Sequence, residues 1–531
     1  MKNYFDEIKN RLDSEDKYRE RLFCRAYLFT DSQIDCLDSY PFYGKWNICS
    51  VGKYKMITHP LVGVFNKSVD NIHIIMVGHA YNPFTGETDE NNILNTLVKS
   101  YINNYSVFLD KLDELTGVFA LFIVVNDRIL AVQDCAGQKM LYFGNVNDAL
   151  VITSVPQLAG DVFGLEVDED IERLVSCKGY YRGSGFLPGN KSPYKELKRL
   201  GPNTVVRYEN KVFRIERIFP RNELEILKND DEKTNKIEEM HRLFSSNIEL
   251  TIKKWSRVGI SLTGGVDSKT TFANAKPWYG DFFCYSFISK ESEKIDADAA
   301  AEICSKTGIE HHLYKIPDDE NQIKDYDFLQ KILEHNTSYL CKLHPNEKRK
   351  YICMERENDI DVEIKSDVSE IGRAYTNRKY YKVNMPRKLT PRHFTIGQAR
   401  YFFEPWEMHY ADKSYESFMR ETGLVDDIMG YTMHDLSYWE IRMGAWASTS
   451  FASQEYFHEI TIPYNNRKLL EMFLQFPESE RKADIPHMRL MRRGNPQIAD
   501  ITISVKDSYF GNKRMMAETL YYYYATLFNK T

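Results

Sequence analysis

The sequence predicts an α/β protein in two parts. An α+β half rich in strands comes first, then a doubly wound parallel sheet with a helical C-terminal part. Three observations carry this. Between residues 257 and 316 short apolar runs alternate with helical stretches, as in successive βαβ units. Between about 50 and 215 short strand-like runs follow one another, closing on Thr204–Tyr208, a turn at Glu209-Asn210 and Val212–Ile215. From Tyr380 onward the pattern is mainly helical. A chain of 531 residues makes two or three domains. The expected division is 1–220, a polar linker at 221–235, and 236–531.

Residues 1–50 read as mixed helix and loop, and the opening residues to Arg11 are too charged for a signal peptide. Ile72–Val77, Val118–Val125, Ile129–Gln133 and Leu150–Thr153 read as strands. Val118–Val125 is the longest apolar run and is too short to span a bilayer. After the linker, Ile237, Met240, Phe244, Ile248, Ile252 and Trp255 recur every three or four residues and mark one buried helical face. Val258, Ile260 and Leu262 then alternate with smaller residues, as in a short buried strand. Phe282–Phe287 is a second strand, Asp296–Cys304 a helix, and a third strand starts at His311. His311 and His312 are neighbours on a strand, so they point to opposite faces and make a poor metal pair.

The chemistry concentrates in residues 257–272. A strand runs into Thr263-Gly264-Gly265-Val266-Asp267-Ser268, and a helix starts at Lys269. Two adjacent glycines let the backbone turn sharply and approach a ligand. Unpaired N–H groups at a helix start, with hydroxyl side chains beside them, make an anion site. An Asp there repels phosphate unless a cation lies between them, so Asp267 points to Mg²⁺. In a doubly wound sheet, ligands sit beyond the carboxyl ends of the strands, where this loop falls. No Gly-x-x-x-x-Gly-Lys-[Ser/Thr] motif occurs.

The segment Ser261-Leu262-Thr263-Gly264-Gly265-Val266-Asp267-Ser268 resembles the Ser-Gly-Gly-x-Asp-Ser loop of the ATP pyrophosphatases. In the N-terminal half, Leu115-Thr116-Gly117-Val118-Phe119-Ala120, then Asp134-Cys135-Ala136-Gly137 to Phe143, then Ile152-Thr153-Ser154 resemble the class II glutamine amidotransferase domain of asparagine synthetases. Gly201-Pro202-Asn203 fits the turn before that domain's last hairpin. The resemblance implies an Ntn-hydrolase-like sandwich followed by an adenine-nucleotide α-hydrolase-like sheet. Active glutaminases of this class use a cysteine just after the initiator Met, with its own α-amine as base. Here position 2 is Lys2, Cys24 is the nearest thiol, and Val77–Asn82 stands where the Asn-Gly-Glu glutamine-binding segment is expected. The expectation is a domain that keeps the fold and lacks glutaminase activity.

Val362 to Arg373 resembles the second asparagine synthetase motif, in which one acidic residue helps hold Mg²⁺ and a glutamate acts in amide formation. Its register stays open. Glu370 aligns with the family's Asp-Glu pair, which puts Ser369 at the metal-binding position, and Asp367 is the alternative carboxylate. Asp435–Trp446 resembles the helix passing the active site, and Ile462–Leu470 the Pro-Phe-x-Asp-x-x-Leu segment. Related enzymes place a lysine against the acyl-adenylate, and Lys506 and Lys513 are the candidates here.

The resemblance implies an ATP- and Mg²⁺-dependent amide ligase that adenylates a small-molecule or peptide carboxylate and passes the acyl group to ammonia or an amine. Asp267, Asp367 and Glu370 would hold Mg²⁺; Ser261, Thr263, Gly264, Gly265 and Ser268 would cradle pyrophosphate; Arg373 with Lys506 or Lys513 would neutralise phosphate. Two other readings stay open: a nucleotide-binding pseudoenzyme, or another pyrophosphatase-loop enzyme such as a tRNA-modifying one. A formal charge of −6 with interspersed signs argues against nucleic acid. Nine scattered cysteines without Cys-x-x-Cys fit reduced thiols in the cytoplasm. No membrane insertion is expected, and a homodimer is among the expected states.

Overall fold

A computed structural model describes residues 4–501, apart from 178, 181–184, 342, 358, 377–387 and 398–403, and also 519 and 520. Two antiparallel sheets build the first half, each of six strands among the described residues. One runs, edge to edge, Leu197–Arg199, Tyr142–Val146, Ala149–Thr153, Tyr27–Thr30, Tyr54–Thr58, Asn47–Val51. The other runs Val212–Arg217, Thr204–Glu209, Arg128–Gln133, Thr116–Val125, Ile72–Tyr81, Val64–Val69. Ile72–Tyr81 and Thr116–Val125 pair along their full length, from Ile72↔Val125 to Tyr81↔Thr116.

Side chains alternate across these strands, so both faces of the second sheet are used. Ile75, Val77, Phe122 and Val124 point into the space between the sheets, where Phe29 packs 5.1 Å from Phe122. Ile74, Met76, Leu121 and Ile123 point outward under the helices Glu90–Asn103 and Tyr105–Asp113. A strand buried on both faces reads as a continuous apolar run, which is why Val118–Val125 shows no alternation in sequence. Helices Phe5–Ser14, Pro156–Phe163 and Tyr326–Asn336 cover the outer face of the first sheet. The half is therefore four layers, helix–sheet–sheet–helix, as the Ntn-hydrolase-like expectation requires.

The second half opens with helix α1, Asp230–Lys254. The Asn229 side chain caps it by accepting from the Glu232 N–H, and three acidic residues occupy its first turn at the positive end of the dipole. Its buried face carries Ile237, Met240, Leu243, Phe244 and Ile248. Such side chains each stabilise by about 1.5–3 kcal/mol when removed from water.

The parallel sheet comprises β1 (Val258–Ser261), β2 (Phe283–Ile288), β3 (His311–Lys315), β4 (Val362–Ile364) and β5 (Glu459–Thr461). Their order is β3-β2-β1-β4-β5, and every pairing is parallel. Helices α2 (Val266–Asn274), α3 (Lys294–Thr307) and α4 (Pro345–Glu357) connect them. The order reverses between β1 and β4, so a ligand crevice is expected at the carboxyl ends of those two strands. Gly259 in β1 is required by packing: a Cβ there would lie 2.6 Å from Ile360 Cδ1. As expected, His311 and His312 diverge. His311 Nε2 lies 3.0 Å from Ser286 Oγ, while His312 stacks on Phe283.

Buried polar contacts tie the halves together. Asn465 Nδ2 donates to Gly117 O at 2.6 Å and to Asp134 Oδ1 at 2.8 Å, and its oxygen accepts from the Ala136 N–H. Arg467 meets Asp113 at 2.5 Å, and the Trp439 indole donates to Cys135 O. All nine cysteines are free thiols.

Candidate functional site

β1 ends at Ser261, and the chain turns through Leu262, Thr263, Gly264 and Gly265 into α2. Side chains within the turn fix its shape. Ser268 Oγ lies 2.8 Å from Thr263 Oγ1 and accepts from the Thr263 N–H, while the Gly265 N–H donates to Thr263 Oγ1. The Gly264 N–H reaches Asp296 Oδ1 in α3. Gly265 occupies the N-cap without a side-chain cap, so the first amides of α2 keep their donors.

The facing loop leaves β4 at Ile364. Ser366 Oγ donates to Thr271 Oγ1 in α2 at 2.8 Å. Val368 then adopts φ 73°, a left-handed conformation that costs a β-branched residue on the order of 1–3 kcal/mol. Strain of this kind persists where the surroundings fix it. Here the next turn packs so closely that a Cβ on Gly372 would lie 2.8 Å from Phe473 Cβ.

The turn after Val368 delivers three residues to α2. Ser369 Oγ donates to Asp267 Oδ1. Arg373 Nη1 donates to Asp267 Oδ2 at 2.6 Å, and its Nε and Nη2 hold Asp484 at 2.8 and 3.1 Å. Glu370 Oε2 is buried and has no hydrogen-bond partner. Burial raises the Asp267 and Asp367 carboxyls above their ordinary range, against the pull of Arg373 on the first and Lys365 on the second. Burial, with the charges of Asp267 and Asp367, pushes Glu370 up to about 8. Tyr438 is pushed well above the usual phenol range by burial and by Glu370. It begins a ten-residue π-helix, Tyr438–Ala447, overlapping the segment that resembles the helix passing the active site.

The structure thus brings Ser261, Thr263, Gly264, Gly265, Asp267 and Ser268 to one side of the crevice and Asp367, Glu370 and Arg373 to the other. Lys506 and Lys513 lie outside the described residues. Ser369, which the sequence comparison puts at the metal-binding position, reaches Asp267 here; Asp484 and Tyr438 are contributors that sequence reasoning did not single out.

The carboxylates outnumber the cations here, and an unpartnered Glu370 oxygen points to a missing positive group. Hard oxygen donors suit Mg²⁺, which takes one or two carboxylates and fills its sphere with phosphate and water. Among the described residues no three His, Cys, Asp or Glu side chains cluster tightly enough to hold an ion by themselves. The residues therefore fit a cation that arrives with a phosphate.

The chain matches no protein-family model. It is similar to the microcin J25-processing protein McjC of Escherichia coli, 22% identical over 200 residues, which is 38% of this chain and 36% of that protein. It is also similar to a 7-cyano-7-deazaguanine synthase of Clostridium acetobutylicum, 33% identical over 66 residues, 12% of this chain and 29% of that protein. It spans about a third of the length of these curated relatives. Among solved structures it is similar to the allosteric regulatory enzyme of purine biosynthesis, at 10% identity and a TM-score of 0.25, over 65% of this chain and 90% of that one. It is likewise similar to glutamine phosphoribosylpyrophosphate amidotransferase from B. subtilis, at 10% identity and a TM-score of 0.22, over 61% and 89%. Superpositions that loose carry no weight for the fold. No described helix is long and apolar enough to cross a membrane.

Proposed function

We propose that the protein is an ATP-dependent amide ligase. A carboxylate oxygen of the substrate attacks the α-phosphorus of ATP, the bond to the β-phosphate breaks, and pyrophosphate leaves. The nitrogen of ammonia or an amine then attacks the acyl carbon, gives up a proton, and AMP leaves with the bonding electron pair. The observation that carries this reading is the pyrophosphatase-type loop at the end of β1, facing across the switch point a loop whose Ser369 and Arg373 both grip Asp267.

The first amides of α2 and the hydroxyls of Ser261, Thr263 and Ser268 would hold the leaving pyrophosphate, joined by the amides of Gly264 and Gly265 once these leave Asp296 and Thr263. Asp267, with Asp367 or Glu370, would hold Mg²⁺, which supplies charge neutralisation at the phosphates. Arg373 orients Asp267 and carries positive charge into the crevice. Lys506 or Lys513 would add a further cation. Catalysis in such a site is positioning plus electrostatic stabilisation.

The nitrogen would come from outside the chain. Cys24 has its nitrogen in a peptide bond, and burial raises its thiol pKa, so it is no self-activated nucleophile. McjC processes microcin J25, which makes a peptide carboxylate one substrate class to test.

One observation favours a second reading, a nucleotide-binding protein without turnover: Arg373 and Ser369 already satisfy both Asp267 oxygens. Calorimetry with MgATP tests the shared premise. Binding should need Mg²⁺ and weaken at least tenfold in Asp267→Ala. Equal binding by both proteins would remove the loop from the account.

A further inference from the structure

On the other flank an ammonium stands without a carboxylate partner among the described residues. Lys350 lies on α4 and is half-buried. Its ammonium sits 4.1 Å from the centre of the Phe287 ring and 4.8 Å from that of Tyr351. Its basic neighbours on the helix have acidic partners, Lys348 with Glu334 and Arg349 with Glu320. Among the described residues no carboxylate pairs with Lys350 itself.

Phe287 places this ammonium in the fold. It lies on β2 two residues past Tyr285, which is in register with Ser261 at the end of β1. Lys350 therefore stands at the depth of the phosphate loop. Asn346 Nδ2 donates to Ser289 Oγ at 3.2 Å and fixes the start of α4 against the end of β2. The charged groups that face Lys350 are Glu363 on β4, Lys365 just past its end, Glu293 after β2 and Glu347 on its own helix. Glu363 is already committed, to Lys365 at 2.8 Å and to His458 at 2.8 Å. Burial and the Lys365 charge push the Lys350 ammonium down to about 8. Ring faces offset only part of an ammonium's desolvation. Lys365 is held by Glu363, Glu293 accepts from the Ser289 N–H and hydroxyl, and Glu347 accepts from the His344 N–H, so the Lys350 ammonium rests on ring faces with a place left for an anion.

We propose that Lys350 anchors an oxyanion of a substrate, carboxylate or phosphate, beside the phosphate loop. The assignment rests on the ligase reading above. Lys350 is a binding residue in this account and takes no part in bond making.

The test uses the full chain and limiting acetic anhydride, with lysine acetylation followed by peptide mass spectrometry from pH 6.5 to 9.5. Without ligand, Lys350 should acetylate with a midpoint near 8, well below the ~10.4 of an ordinary lysine. AMP, pyrophosphate, adenosine, and succinate in the presence of AMP are the probes. Tenfold slower acetylation at pH 8 with AMP or pyrophosphate, and none with adenosine, assigns the anion to the nucleotide. Slowing that needs succinate assigns it to the carboxylate. By calorimetry Lys350→Met should bind the protecting anion at least tenfold more weakly, and Lys350→Arg should retain it. If no probe slows acetylation, or Lys350→Met binds every probe as the wild type does, the anchor is overturned. Asp267→Ala separates the two claims: Asp267-dependent MgATP binding without Lys350 protection keeps the ligase reading and discards the anchor.

Discussion

Arg373 Nη1 donates to Asp267 Oδ2 at 2.6 Å while the same guanidinium clamps Asp484 through Nε and Nη2. One planar cation thus joins the start of α2 to the segment before the helix Ile485–Gly494. Arg373→Met would leave two carboxylates without their cation, a loss on the order of 3–5 kcal/mol for a buried pair. Arg373→Lys should recover only part of it, because a point charge cannot serve both carboxylates in the fork geometry. Chemical denaturation of the three proteins checks the order wild type, Lys, Met.

Glu370 should be a liability without metal and an asset with it. Its carboxyl is held up to about 8 by burial and by Asp267 and Asp367. A raised folded-state pKa means stability falls as pH rises toward 8, because the folded carboxyl resists ionising. In EDTA at pH 8.5, Glu370→Gln should melt above the wild type. With MgATP the wild type should gain more in Tm than the variant does. Equal gains would remove Glu370 from the cation's surroundings.

A second buried carboxyl gives a pH signature away from the site. Both oxygens of Glu407 are buried without a hydrogen-bond partner, and burial with the nearby Glu404 charge pushes the group up to about 7. The unfolded value is about 4.3. Between those values the folded protein binds the extra proton, so stability declines from about pH 4.3 to 7 and is level above. Glu407→Gln should flatten that part of the Tm–pH curve and melt higher at pH 8. Parallel curves for the two proteins would contradict the assignment.

The halves should unfold together. Asn465 makes three hydrogen bonds into the first half, to Gly117 O, to Asp134 Oδ1 and from the Ala136 N–H. Asn465→Ala leaves these groups unsatisfied and should cost about 2–4 kcal/mol. Urea unfolding should show one transition by fluorescence and circular dichroism, shifted as a whole in the variant. Two transitions, with only one moved, would contradict the shared core.

What was legible in the sequence follows from distance along the chain. Thr263, Gly264, Gly265, Asp267 and Ser268 are consecutive or nearly so, and their mutual hydrogen bonds span at most five residues. The face of α1 was legible because helical periodicity is local. Ser369 reaches Asp267 across 102 residues and Arg373 reaches Asp484 across 111, and nothing local announces either partner. The π-helix at 438–447 is buried on nearly every side, so no one-sided periodicity marks it and its changed hydrogen bonding leaves no trace in residue spacing. Asn465 lies in the Ile462–Leu470 segment, matched by resemblance alone, and only the packed fold shows it bridging the halves.

The central claim is adenylation at the Asp267 loop. The most direct measurement is pyrophosphate release with MgATP across a panel of carboxylates, peptide acids included, in the wild type and in Asp267→Ala. The account predicts release that depends on one class of carboxylate and falls at least a hundredfold in the variant. No carboxylate-dependent release from a wild type that binds MgATP would contradict it and favour nucleotide binding without turnover.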